Sequence, residues 1–152
     1  MLLDKLQEDL KEAQLNRDEV RVSTLRLLLS EVKNGEIAFR QSSGQAGLSD
    51  SDVVNIIQRE LKKRKEASEG FRSGGREDSA AKEELEAKIL ADYLPQQMNN
   101  EELTKLVDMT INELGATSIA DMGKVIGVVM GKAKGRTAGS TVSSLVKEKL
   151  SE

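Results

Sequence analysis

NNEELTKLVDMTINELGA, residues 99–116, decides the fold class because it carries every mark of an amphipathic α-helix. An asparagine is placed to cap the first turn, two glutamates follow, and Gly115 comes just after the last turn. Between these ends, apolar residues recur about every 3.6 positions; they are Leu103, Leu106, Val107, Ile111 and Leu114. The same period runs through nearly every long segment, and sustained strand alternation is absent. The sequence therefore predicts an all-α fold.

Four further helices are predicted before Pro95. Their apolar stripes are Leu2, Leu3, Leu6, Leu10 and Ala13; Val20, Thr24, Leu27, Leu28, Val32 and Ile37; Val53, Ile56, Ile57 and Leu61; and Leu85, Ile89, Leu90 and Tyr93. The first stripe weakens around residues 16–18. Ser49 and Asp52 have the spacing of a capping box for the third helix, and Leu48 is placed for a hydrophobic staple. Gly74 and Gly75 are expected to end that helix.

Pro95 is the single proline and marks the predicted domain boundary, because helices usually end before the residue that precedes a proline. The sequence predicts a helical N-terminal domain at residues 1–95 and a small three-helix domain at 96–152, the last helix being capped by Ser140 or Thr141. The first part holds 16 basic and 19 acidic residues, and the second holds seven of each. Six of those seven basic residues lie within 120–150 against two acids.

The composition excludes several kinds of site. The chain has no cysteine and no histidine, which removes thiolate and imidazole chemistry, disulfides and standard zinc sites. Its acids alternate with bases, as on solvated helix faces, so we expect no catalytic residue, no metal and no cofactor. The acidic N-terminus does not resemble a signal peptide, and the sequence holds no apolar run of the roughly 18 residues that a membrane span needs. A cytoplasmic protein without a membrane partner is expected.

Glycine recurs at every fourth position in ADMGKVIGVVMGKAKGRTAG, residues 120–139. On a helix that turns by about 100° per residue, Gly123, Gly127 and Gly131 fall beside the apolar face. That face comprises Met122, Val125, Ile126, Val129, Met130 and Ala133. Each glycine costs the helix about 1 kcal/mol relative to alanine. Either another helix packs closely on this row, or a nucleic-acid backbone approaches it while Lys124 and Lys134 meet phosphates.

Gly135 and Gly139 are interpreted differently, as positions in a loop between two helices where positive φ angles are expected. Such a loop, with Lys134 and Arg136 beside it, could hold an anion, although neither GxxxxGK[ST] nor GxGxxG occurs. The basic run at residues 59–65 is typical of a solvated helix face. Two Phe, one Tyr and no Trp make an aromatic platform for single strands improbable, which leaves shape and phosphate contacts to a folded RNA.

Five segments together resemble the YqeY family over essentially the whole chain. They are LRLLLSEVKN (25–34), RELKKRKEASEGFRSGGRED (59–78), E-x-x-ILADYLP (86–95), GATSIADMGKVIGVVM (115–130) and KG-R-x-x-G (134–139). The last third also resembles the tail domain of the GatB subunit of the tRNA-dependent amidotransferase. That tail contacts tRNA, whereas the kinase and transamidase chemistry belongs to a cradle domain that has no counterpart here. The resemblance therefore implies a tRNA-binding accessory protein. The family-level label of carbon–nitrogen ligase activity with glutamine as amido-N-donor describes the relative.

The resemblance passes an RNA-contact role to the residues that match the family motif, which are Asp121, Met122, Gly123, Lys124, Gly127, Met130, Lys134, Gly135 and Gly139. The chain departs from that motif at Thr137 and Ala138, where the family usually has Ala-Asp, and at Gly131, where some relatives have proline. The predicted RNA-binding set is Gly123, Lys124, Gly127, Gly131, Lys132, Lys134, Gly135, Arg136 and Gly139. The alternative is a helical interaction module that docks on an amidotransferase or an aminoacyl-tRNA synthetase.

Overall fold

The all-α prediction is confirmed by a computed structural model, which describes residues 1–45 and 47–151. The described residues form seven α-helices and one 3₁₀ turn, Ile119–Asp121. The helices are α1 Leu2–Leu15, α2 Glu19–Ser43, α3 Asp50–Ser73, α4 Glu77–Ala91, α5 Asn100–Leu114, α6 Met122–Ala133 and α7 Gly139–Leu150. They divide into two compact units, Met1–Leu94 (unit 1) and Pro95–Glu152 (unit 2).

The predicted helix ends are confirmed at most positions. Ser49 and Asp52 form the expected capping box at the start of α3, and the Ser49 hydroxyl and amide hold the pKa of Asp52 below its usual range. Asn99 caps α5 in the same way, and Gly115 ends it at a φ of 62°. The prediction for α7 was wrong. Its N-cap is Ala138 rather than Ser140 or Thr141, and no side chain caps it.

The core of unit 1 is built mainly from the predicted stripes of α1 to α4. Its buried members are Leu6, Leu25, Leu28, Val32, Val53, Ile56, Ile57, Leu90 and Tyr93. Three residues of the predicted stripes are exposed instead: Leu27 by 53%, Ile37 by 49% and Leu85 by 49%. The face of α2 that packs is rotated toward Leu25, which is fully buried, and this rotation leaves Leu27 in solvent.

Gly35 is the glycine of unit 1 at which two helices approach closely. A Cβ atom added at Gly35 would lie 2.9 Å from Cδ1 of Ile56, so α2 and α3 are in contact there without room for a side chain. The Leu48 side chain, the predicted staple, packs on the same core. A side chain at position 35 would therefore require the terminal methyl group of Ile56 to shift.

A polar seam joins α3 to α4. Arg64, Ser68 and Arg72 recur every four residues along one face of α3, and each meets a glutamate of α4. The innermost pair is Arg64 and Glu86, whose Nη1 and Oε2 atoms are 2.9 Å apart and whose side chains are 13% and 7% exposed. Arg64 belongs to the basic run that the sequence assigns to a solvated face, but its charge is neutralised across the hairpin.

A second polar cluster lies at the edge of the same core. The Tyr93 hydroxyl donates to Oδ2 of Asp9 at 2.5 Å, and Nη2 of Arg21 lies 3.6 Å from the same oxygen. Burial, followed by the hydrogen bond to Asp9, raises the pKa of Tyr93, while Arg21 opposes this shift. The cluster joins α1, α2 and the residues after α4.

Removal of the Arg64 charge is expected to destabilise unit 1. Arg64→Met keeps the aliphatic stem but leaves the Glu86 carboxylate buried without its partner, so the free energy of unfolding should fall by about 3 kcal/mol. Chemical denaturation followed by circular dichroism measures this loss. Lys65→Met, at an exposed neighbouring position, is the matched control and should change it by less than about 0.5 kcal/mol. Equal stabilities for the two variants would contradict a structural role for the pair.

The alkaline titration of Tyr93 can be followed alone, because the chain has one tyrosine and no tryptophan. Absorbance at the phenolate band should show a midpoint above the ordinary value of about 10. Asp9→Asn removes the carboxylate that disfavours the phenolate and should move the midpoint downward. A wild-type midpoint at or below the ordinary value would contradict the cluster, and Asp4→Asn, elsewhere on α1, serves as the control.

Candidate nucleic-acid interface

The core face of α6 is the one predicted from the sequence. Val125, Val129 and Ala133 are buried against α5 and α7, and Met122, Ile126 and Met130 are partly buried around them. Because side chains three and four positions apart share a face of a helix, this packing fixes the rotation of α6. The glycines at positions 123, 127 and 131 are consequently directed away from the core.

The three glycines are exposed and uncovered. A Cβ atom added at Gly123, Gly127 or Gly131 would meet no described atom within 4 Å, apart from the backbone of its own helix. The interpretation that another helix of this chain packs on the row is therefore wrong for the described residues. We call this surface of Gly123, Gly127 and Gly131, with the flanking Lys124 and Lys134, the glycine strip.

The two lysines of the glycine strip carry free charges. Lys124 and Lys134 are exposed, and neither side chain makes an ion pair or a hydrogen bond with any described residue. Lys134 ends α6 in the left-handed conformation, at φ 49° and ψ 49°. Left-handed backbone costs a side-chain-bearing residue about 1 kcal/mol, and glycine or asparagine is the common choice at such a position.

Lys132 and Arg136 of the predicted set have other contacts. Nζ of Lys132 lies 2.8 Å from Oε2 of Glu113 on α5, so this lysine faces away from the glycine strip. Arg136 donates from Nε to the carbonyl of Gln96 at 2.8 Å, and its Nη2 lies 3.2 Å from Oε2 of Glu102. Its own carbonyl accepts from the amide of Met98 at 2.8 Å. Arg136 thus fastens residues 96–98 to the loop after α6, a contact between distant segments that the sequence did not indicate.

Of the two remaining glycines, Gly135 occupies the predicted loop position with a positive φ, whereas the prediction was wrong for Gly139, which lies within α7. Gly135 has a φ of 81° in the turn after α6, and Gly139 is the first residue of α7, where a Cβ atom would lie 3.9 Å from Cε of Met130. Gly135 belongs to the turn between α6 and α7 and Gly139 begins α7, so both are separate from the glycine strip. The structure thus brings together Gly123, Lys124, Gly127, Gly131 and Lys134 on one exposed face.

Among the described residues, no group of three or more acids forms a cluster that could hold a metal ion. No single described helix is long and apolar enough to cross a membrane; α5 and residues Ile119–Ala133 satisfy those criteria only as a pair bent by 100°.

Comparison with known proteins now adds the family. Residues 3–150 match the family described as YqeY-like protein. The chain belongs to the YqeY family. Among curated relatives it is similar to altered inheritance of mitochondria protein 41, mitochondrial, from Eremothecium gossypii, at 32% identity over 117 residues, 76% of this chain and 62% of that protein. The relative of that name from Vanderwaltozyma polyspora is 30% identical over 72% of this chain and 58% of its own length.

A third relative is an uncharacterised protein of Schizosaccharomyces pombe, 32% identical over 62% of this chain and 73% of its own length. The chain thus spans roughly three fifths of the two proteins named for mitochondria. The YqeY resemblance noted from the sequence is confirmed by these matches. The matches establish the family, and the names of these three relatives state no biochemical activity.

The open space at Gly127 predicts that the fold does not need glycine there. Gly127→Ala, in the middle of α6, should raise the free energy of unfolding by about 1 kcal/mol, because alanine is the better helix former and its methyl group meets no neighbour. Gly135→Ala should lower it by about 1 kcal/mol, because φ is 81° there. Thermal and denaturant unfolding measure both changes.

The matched control is Gly70→Ala, which lies within α3 and also faces open space. It should be stabilising to a similar extent. If Gly127→Ala instead destabilised the protein while Gly70→Ala did not, a close contact on the glycine strip would have to exist.

Proposed function

We propose that this chain is a non-catalytic accessory protein that binds tRNA or another structured RNA through the glycine strip. The observation that carries the proposal is the uncovered row of Gly123, Gly127 and Gly131 between the two unpaired ammonium groups of Lys124 and Lys134. A row without side chains lets a sugar–phosphate backbone approach the helix, and each lysine then meets a phosphate. The resemblance of unit 2 to the tRNA-contacting tail of GatB supports the same assignment.

The cost of this surface to the fold supports a functional role. Each interior glycine forgoes about 1 kcal/mol of helix stability, and none of the three is explained by a packing contact with a described residue. Lys134 adds the cost of left-handed backbone at a position where glycine would be cheaper. Strained or unfavourable residues that the fold does not require are commonly found at functional sites.

The same surface supports a second function, a module that docks on a partner protein. Glycines four residues apart allow two helices to approach closely, and unit 2 also exposes Met109 by 56% and Ile119 by 50%, apolar surface of the kind that protein partners bury. An amidotransferase or an aminoacyl-tRNA synthetase is the partner class that the GatB resemblance suggests. RNA remains the first proposal because the free charges of the glycine strip are both positive.

The names of the fungal relatives assign those proteins to mitochondria. For this chain, a cytoplasmic location stays a prediction, and fractionation of the source cells with an antibody to the chain would test it. Either compartment contains tRNA and the enzymes that charge it, so the proposed binding does not depend on the outcome.

RNA binding should be measured with labelled total tRNA at increasing salt concentration. The wild type should bind near 50 mM salt and weaken steeply, since the free energy comes from phosphate contacts. The logarithm of the association constant falls linearly with the logarithm of the salt concentration. Lys124→Gln and Lys134→Gln should each make this slope less steep by about 1. Gly127→Leu should weaken binding at least tenfold without lowering the melting temperature, because its side chain would fill the open surface.

Gly70→Leu on α3 and Lys65→Gln are the matched controls, and neither should alter binding. No complex at about 50 mM salt would exclude the RNA proposal. A protein partner that is captured from RNase-treated lysate by the wild type, and lost with Gly127→Leu, would then establish the interaction module in its place.

A further inference from the structure

Unit 1 contains a cavity that has no part in the proposed RNA interface. It is about 440 Å³ in volume and opens between α1, the start of α2 and the end of α4. Tyr93, with Asp9 and Arg21, forms its polar wall, and we call it the Tyr93 cavity. Its volume falls within the range of about 300–1,000 Å³ that is typical of small-molecule sites.

One wall of the Tyr93 cavity is aliphatic. Leu85 and Ile89 lie one helical turn apart on α4, and Val20 faces them from the start of α2. Leu85 belongs to the apolar stripe that the sequence assigns to the core, yet it is 49% exposed and lines the cavity instead. Exposed aliphatic surface inside a concave site favours an apolar group of a ligand.

Lys5 and Arg21 contribute positive charge to the lining of the cavity. Oδ2 of Asp9 accepts from the Tyr93 hydroxyl and lies 3.6 Å from Nη2 of Arg21, so the charge of this carboxylate is partly neutralised within the cluster. Arg21 remains 39% exposed, and the ammonium of Lys5, 5.9 Å from the centre of the Tyr93 ring, makes no ion pair with a described residue. Both cations therefore have N–H groups left for an anionic group of a ligand.

The rim offers negative charge as well. Asp92 is exposed and makes no ion pair within the described part of the chain, and Asp18 uses one oxygen to cap α2 and has the other free. The lining of the cavity thus includes acidic groups, basic groups and aliphatic side chains. A ligand complementary to all three has an ammonium, a carboxylate and an aliphatic side chain.

We propose that the Tyr93 cavity binds a small zwitterion with an aliphatic side chain, of the class of free leucine or methionine. The carboxylate meets Lys5 and Arg21, the ammonium meets Asp92 and Asp18, and the side chain lies on Leu85 and Ile89. Tyr93 forms the floor beneath the ligand, held by its hydrogen bond to Asp9. For a ligand this small, the dissociation constant should be on the order of 1 mM.

The experiment uses Tyr93 as its reporter. Because it is the single tyrosine of a chain without tryptophan, the intrinsic fluorescence of the full-length protein comes from this cavity. Titration with leucine should change the tyrosine emission saturably and raise the melting temperature over the same concentration range. Glycine, which lacks the side chain, should produce neither change.

Two analogues test the charges one at a time, and a third tests the branching of the side chain. Leucinol lacks the carboxylate, 4-methylpentanoate lacks the ammonium, and norleucine keeps both with an unbranched side chain. The first two should bind at least tenfold more weakly than leucine, and norleucine should bind comparably. Equal affinities for leucine and 4-methylpentanoate would contradict the role of the acidic groups.

The location is tested with variants that leave Tyr93 in place. Lys5→Gln, Asp92→Asn and Leu85→Ala alter exposed side chains and should each weaken leucine binding about tenfold. Lys11→Gln, Asp78→Asn and Leu27→Ala are the matched exposed controls and should have no effect. If leucine changed neither the fluorescence nor the melting temperature at about 20 mM, or if the three cavity variants bound it like the wild type, the proposal would be overturned.

Discussion

The burial of Val125, Val129 and Ala133 against α5 and α7 is the constraint on which the surface of unit 2 depends. Once these side chains lie in the core, the rotation of α6 is set, and the residues at positions 123, 127 and 131 have to face outward. Exposure of those positions is therefore a consequence of the fold, but their identity is not. Any polar residue would be solvated there, and alanine would make a more stable helix.

The surroundings of Gly35 and Gly127 differ. At Gly35 a Cβ atom would lie 2.9 Å from Cδ1 of Ile56, so a larger residue there would require the Ile56 side chain to shift. At Gly127 the added atom would meet open space. A close packing contact therefore accompanies the glycine at position 35, whereas no packing contact explains the glycine at position 127.

Local features were predictable from the sequence, and contacts between distant residues were not. The capping box at Ser49, the asparagine cap of α5 and the core face of α6 follow from spacing over a few residues, and all were predicted. Leu85 was assigned to the core because a periodic stripe shows which face of a helix is apolar. It does not show how much of that face a neighbouring helix covers.

In the candidate site, the uncovered glycines could be identified as a row beside the core face. The pairing of Lys132 with Glu113 could not, because the partner is on another helix.

Only some of the basic side chains near the glycine strip are free of an acidic partner among the described residues. Residues 120–150 hold six basic side chains, but Lys132, Arg136 and Lys149 each lie within 4 Å of a carboxylate of α5. Lys124, Lys134 and Lys147 are then the cations of this region that no described carboxylate neutralises.

About three phosphate contacts provide a modest affinity that salt readily weakens. A close approach along the glycine row would add contact area, yet a single α6 surface remains small for an independent RNA-binding protein. For the RNA contact proposed above, the small number of free charges therefore predicts an auxiliary contact, which would gain strength when the same RNA is already held by another protein and the second contact becomes intramolecular.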